Sequence, residues 1–223
     1  MPLTDQTRAD ALAIVARYPE GRGRSALLPM LHLVQAEEGY VTPAGIALCA
    51  DMLSLTKAEV AAVATFYTMY KRRPVGEHIV SVCTNTLCAL MGGDEVYAAV
   101  CQRLGVGHNE TTPASAGEVS LTVEHAECLA ACDYAPVMTV DYEYYDQVTP
   151  DTAVGLVDAL QRGDKPLPTR GAPLTSFRET ERLLAGFPDP RPDAVDAGLA
   201  GAPTLAGLVV QAQGGLMQAQ GGH

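Results

Sequence analysis

The chain has 223 residues, 48% of them apolar and 18% charged, which predicts a globular protein of one or two domains. A net charge of −11 excludes a nucleic-acid partner, whose phosphates need a basic face. No stretch reaches the ~18 consecutive apolar residues of a membrane span, so direct membrane insertion is not expected.

The N-terminus "MPLTDQTRAD" lacks the basic-then-apolar order of a secretory signal and the Arg-rich character of a transit peptide, so a cytosolic location is expected. Residues 1–73 predict a helical bundle. The first helix lies in "LTDQTRADALAIVARY". The second follows Ser25, read as its N-cap, and ends at Gly39, with Pro29 in its first turn. Thr42-Pro43 opens the third as a cap followed by proline at the first helical position. Thr56 and Glu59 form a capping box for the fourth, which is expected to run through "VAAVATFYTMY" and to place that stripe mostly in the core.

Residues 74–163 change period. "EHIVSVC" predicts a strand ending at Cys83. "GDEVYAAVCQRLG" predicts a helix with Val96, Val100 and Leu104 on one stripe and Gly105 at its C-cap. "EVSLTVEHAEC" reads as a second strand, "APVMTVDYEYYDQVT" as a hairpin, and "PDTAVGLVDALQRG" as a closing helix with Pro150 at its start. The order β-α-β-β-α resembles a thioredoxin-like layer, giving an α+β chain overall. Residues 164–223 form an irregular tail rich in Pro, Gly and Ala, expected to be disordered or docked on a partner. Within it, the Ser176/Glu179 capping box predicts one short helix in "SFRETERLLAG".

Six cysteines without an export signal point to thiols, metal ligands or catalytic groups rather than disulfides. Cys49 and Cys101 stand alone among apolar helix neighbours and are read as core packing. Cys83/Cys88 and Cys128/Cys132 form two close pairs, each following a predicted strand. Adjacent strand ends would bring four thiolates together. A single zinc would take all four in one tetrahedron, giving a structural staple. A [2Fe–2S] cluster takes two thiolates per iron and suits two separated pairs with longer loops, where Gly92-Gly93 would allow close approach. Plain buried thiols remain the bland alternative, and a thiol–disulfide oxidoreductase lacks its C-x-x-C. His125, three residues before Cys128, is read as a surface or neighbouring histidine rather than a ligand, and His32 as a helix residue at the core margin.

The segments "YPEGRGRSALLPMLHLVQAEEGYVTP", "VATFYTMYKRRPVGEH", "VCTNTLCALMGGDEV" and "ECLAACDYAPVMTVDYEYYDQVTP" together resemble the thioredoxin-like [2Fe–2S] ferredoxin subunit of respiratory complex I, NADH:quinone oxidoreductase, over roughly residues 10–162. The resemblance implies that Cys83, Cys88, Cys128 and Cys132 ligate one [2Fe–2S] cluster. It implies one-electron transfer with no catalytic residue on this chain. It also implies docking beside the flavin-bearing subunit that holds FMN and NADH, next to a further iron–sulfur subunit, on the cytoplasmic side of the inner membrane. The equivalent subunit of an NAD-linked hydrogenase or formate dehydrogenase shares this module. Glu124, Glu127 and Asp133 near the second pair are expected to oppose added negative charge and hold the potential low.

Overall fold

The computed structural model describes residues 3–113, 117–191, 194 and 201–220. The N-terminal bundle contains α1 (Asp5–Val15), α2 (Leu27–Glu38), α3 (Pro43–Leu53) and α4 (Lys57–Phe66). Its starts follow local chemistry. The side chains of Thr4, Thr42 and Thr56 accept the backbone N–H groups of Thr7, Gly45 and Glu59, and Glu59 returns the bond to complete the box. The start of α2 differs from expectation. Ser25 lies inside a 3-10 turn, Gly23–Ala26, that runs straight into α2, so no side chain caps that helix.

The end of α4 also differs. The helix stops at Phe66 because Tyr67 turns extended (φ −91°, ψ 120°) and the chain leaves to pair elsewhere: Lys71 O accepts from Val41 N–H at 2.7 Å. Tyr70 folds inward and donates its hydroxyl to Leu28 O, whereas Phe66 is 78% exposed and Tyr67 and Met69 are also exposed. Only part of the "ATFYTMY" stripe is therefore core.

After the bundle comes a five-stranded sheet in the order β2-β3-β1-β4-β5, with β1 (His78–Cys83), β2 (Glu110–Thr111), β3 (Leu121–Ala126), β4 (Met138–Val140) and β5 (Glu143–Tyr145). Central β1 is buried throughout, pairing parallel to β3 and antiparallel to β4. Asp141 and Tyr142 carry β4 into β5 at positive φ (47° and 72°), as a two-residue hairpin requires. Alternation sends Val80, Val82, Leu121 and Val123 into a core shared with α6 (Gly93–Leu104) and α7 (Pro150–Gln161). The opposite parity of β1 carries Ile79, Ser81 and Cys83. There Glu124 accepts from Ser81 Oγ (2.7 Å) and from Lys71 Nζ (2.6 Å), which ties the end of the bundle to the sheet.

The first part of the tail is ordered against its own chain rather than disordered. Its capped helix forms as α8 (Phe177–Leu184) and packs on α2 of the same chain. Phe177 is fully buried, a burial of roughly 2–3 kcal/mol, and Ala185 and Phe187 join the bundle core. Arg17 and Arg182 lie over the Phe187 ring, and Arg182 pairs with Asp10 at 2.8 Å. Glu181 is fully buried, and its Oε2 accepts from Gln35 Nε2 (2.8 Å) and sits 2.6 Å from His32 Nδ1. Tyr142 OH reaches Glu181 Oε1 at 3.4 Å. One carboxylate thus joins the tail, the bundle and the hairpin. Farther on, α9 (Ala202–Gln220) begins beside the second cysteine loop, where Thr204 Oγ1 donates to Asp133. Residues 192–193 and 195–200, also expected as tail, lie outside the described residues.

Candidate metal centre

The parallel register of β1 and β3 sets Cys83 opposite Ala126, so the chains following both strands leave the same end of the sheet side by side. Thr84 N–H donates to Ala126 O at 3.2 Å and Cys83 N–H to Val137 O at 3.1 Å, which anchors the exit of β1 from both sides. Asn85 then caps a short helix, α5 (Thr86–Leu90), with its side chain accepting from Thr86 N–H at 3.0 Å. Cys88 sits on that helix. Gly93 explains how α6 can start so close: a Cβ there would lie 2.6 Å from Cys83 O and 2.8 Å from Cys88 O.

The second loop has little regular structure. Ala130 takes a left-handed conformation (φ 57°) and turns its N–H onto Cys128 Sγ at 3.4 Å. Cys132 opens a single 3-10 turn through Tyr134, and its Sγ lies 3.9 Å from that of Cys128. Tyr144 of β5 reaches across and donates its hydroxyl to Leu129 O at 2.8 Å. Cys83, Cys88, Ala131 and Val137 form one buried cluster, with Leu129, Tyr134, Ala135 and Tyr144 packed against it. The two loops are therefore in contact, and the four cysteines named from the sequence stand together at one end of the sheet.

Burial pushes the Cys88 thiol up to about 11, with the neighbouring Cys83 and Cys132 adding to the rise. The Cys128 sulfur raises Cys132 by hydrogen bonding and repulsion. These mutual effects place the thiols within electrostatic reach of one another across the loops. A metal bound there would displace their protons. Among the described residues no three His, Cys, Asp or Glu side chains close around one ion position. The fold arranges the sulfurs as two pairs, and two pairs of thiolates are the donor set that two sulfide-bridged irons take.

Other cysteines lie elsewhere: Cys49 in the bundle core, its thiol raised to about 12 by burial, and Cys101 against the sheet core. His125 is exposed and stacks on His108 with ring centroids 4.1 Å apart. His32 has a partner that the sequence did not suggest, the buried Glu181. Of the acidic groups beside the second pair, Glu124 is neutralised by Lys71, Glu127 accepts from Asn85 at 3.1 Å, and Asp133 accepts from Thr204. Sequence reasoning missed Tyr134 and Tyr144, whose rings wall the second loop, and Arg170 from the tail, which lies over both. Tyr134 stood within the quoted cysteine motif, while Arg170 had no local signal.

The model of the thioredoxin-like [2Fe-2S] ferredoxin family matches residues 11–161, which include all four cysteines. The chain belongs to that family. The family's resident group is a [2Fe–2S] cluster, and the paired thiols fit it. Among curated relatives, the E subunit of NADH-quinone oxidoreductase from Mycobacterium tuberculosis is 60% identical over 201 residues, covering 90% of this chain and 77% of the relative. Its namesake from Rickettsia conorii is 38% identical over 149 residues, 66% of this chain and 87% of the relative. Among solved structures, an NAD+-reducing [NiFe]-hydrogenase in the air-oxidised state aligns with a TM-score of 0.53 and 19% identity. It covers 62% of this chain and 23% of the hydrogenase chain, a likeness of fold.

Proposed function

We propose that this ferredoxin-family chain is the electron-transfer subunit of an NADH-quinone oxidoreductase, with Cys83, Cys88, Cys128 and Cys132 holding the [2Fe–2S] cluster. The observation that carries the reading is the meeting of both cysteine pairs at the paired ends of β1 and β3. The 60% identity to the Mycobacterium tuberculosis relative supports the complex to which it is assigned.

When bound, the cluster supplies one-electron transfer in which no substrate bond is made or broken. The chain's own residues do the rest. Cys83 and Cys88 are 2% exposed each, so Val137, Ala131 and Tyr134 exclude water from one side of the site. Ala130 N–H points a donor at Cys128 Sγ, a bond that a thiolate sulfur accepts more strongly than a thiol. Cys128 and Cys132 face outward, and Leu87, Leu90 and Met91, on and just after the helix that carries Cys88, are exposed as well. That open side is where the flavin-bearing NADH-oxidising subunit docks, with a further iron–sulfur subunit as neighbour. No helix among the described residues is long and apolar enough to cross a membrane, and the place assigned to the chain is peripheral, on the cytoplasmic side of the complex.

Iron and acid-labile sulfide in the purified chain, with its visible spectrum, test the assignment. Two irons and two sulfides are expected, while one zinc without sulfide overturns it. Co-purification tests the complex: membrane subunits and quinone reduction are expected, and a nickel or molybdenum subunit instead would reassign the chain. The exposed acidic residues Glu127 and Asp133 keep the midpoint low, and a value above the NADH couple counts against that part of the reading.

A further inference from the structure

The tail returns to the sheet just after α7 and adds to its edge. Thr169 N–H donates to Tyr144 O at 2.9 Å, Asp146 N–H donates to Thr169 Oγ1 at 3.0 Å, and Tyr144 and Arg170 form an antiparallel bridge. This places the Arg170 guanidinium 4.7 Å from the centroid of the Tyr134 ring and 4.5 Å from that of Tyr144. Asp146 fixes the fork from one side, with Oδ1 accepting from Nη2 at 3.0 Å and Oδ2 lying 2.9 Å from Nε. The Arg170 side chain is 25% exposed and the Asp146 side chain 8%.

Both rings touched by Arg170 pack on the cluster of Cys83, Cys88, Ala131 and Val137. Tyr134 follows Cys132 by two residues, and Tyr144 holds Leu129 O between Cys128 and Cys132. The guanidinium therefore clamps the two aromatic walls of the second loop and puts a positive charge one side-chain layer from the cluster that holds Cys83 and Cys88. Stacking on two rings and one hydrogen bond to Asp146 hold this positive charge in place.

We propose that Arg170, beyond the family-matched span of residues 11–161, is a positioning residue of the four-cysteine site and raises its reduction potential. The proposal rests on the cysteine assignment made above. One-electron reduction adds a negative charge, and a fixed cation behind the tyrosines lowers the free energy of that charge. Asp146 holds the cation and offsets part of its field, so removing either partner shifts the site in opposite directions.

The test is a redox titration of the full chain followed by the spectrum of the reduced cluster, with iron and sulfide measured first on every sample. Arg170→Gln is expected to make reduction roughly tenfold less favourable, a midpoint about 59 mV more negative for a one-electron couple. Asp146→Asn is expected to move it the other way, and Arg170→Lys to restore most of the midpoint. Full iron content in Arg170→Gln at an unchanged midpoint overturns the role of Arg170 and leaves the cysteine assignment standing. Absence of iron and sulfide from the unaltered chain overturns both. If Arg170→Gln fails to hold a cluster, Arg170→Lys decides: a cluster at the original midpoint supports the proposal, and a second loss overturns the charge effect.

Discussion

Cys83 and Cys88 are buried, one at the end of a central strand and one on a capped helix, and the backbone around them is pinned by α6. Cys128 and Cys132 lie on an exposed loop with a single 3-10 turn, held by side chains that come from elsewhere, Tyr144 and the tail's Arg170. The first half of the site is built by secondary structure, the second by tertiary contacts. A centre assembled from one stiff half and one adaptable half would keep a fixed distance to its own core while leaving its open side free to adapt.

The sharpest way to break this contrast is to remove one sulfur from each half. Cys83→Ser should abolish the cluster and also lower the stability of the apo chain by about 1–3 kcal/mol, because a hydroxyl replaces a buried thiol without a ready partner. Cys132→Ser should abolish the cluster while leaving apo stability within about 0.5 kcal/mol, since the position is exposed. Equal urea midpoints for the two variants would remove the distinction. Next in size, Gly93→Ala should cost about 1–3 kcal/mol, because its Cβ meets two backbone carbonyl oxygens at 2.6 and 2.8 Å. Hydrogen exchange should rise in residues 83–92 and stay unchanged in 127–134; an unaltered first loop would show that α6 does not pin it.

A solitary buried thiol calibrates the burial of the first pair. Cys49 sits in the bundle core with its pKa raised from 9.0 to about 12. A raised folded value means that its contribution is complete below pH 9 and is lost as pH rises toward 12. By pH 10 the loss is on the order of 1 kcal/mol, and Cys49→Ala should flatten the fall in stability between roughly pH 8 and 10. Identical slopes with and without the thiol would refute the assignment. The smallest expected effect is Tyr144→Phe, which removes one hydrogen bond to Leu129 O and costs about 1 kcal/mol or less. It should loosen only the second loop, read as faster proteolysis near Leu129 with no change at Cys83.

Legibility in the sequence follows the same division. Elements started by a local signal were readable: the Thr56/Glu59 and Ser176/Glu179 boxes, Thr42-Pro43, and the stripe Val96, Val100 and Leu104 all sit where their chemistry places them. Features set by distant partners were not. The end of α4 depends on Val41 taking Lys71 O, about thirty residues away in sequence. Five-residue α5 is too short to show a period, and β2 has only two residues. The burial of Glu181 requires His32, Gln35 and Tyr142, none of them near it in the chain. At the candidate centre the two cysteine pairs could be picked out from spacing and a ligand role for them only from the family resemblance, whereas the aromatic wall and its guanidinium came only with the fold.

The return of the tail has a consequence for the timing of maturation. A ribosome finishes all four cysteines and α7 before it adds Thr169, Arg170 and the helix that carries Glu181. Until that return is complete, Tyr144 can hold Leu129 O but no guanidinium lies over the Tyr134 and Tyr144 rings. The second loop thus gains its last support, a cation laid on its two rings, only when the final quarter of the chain is in place.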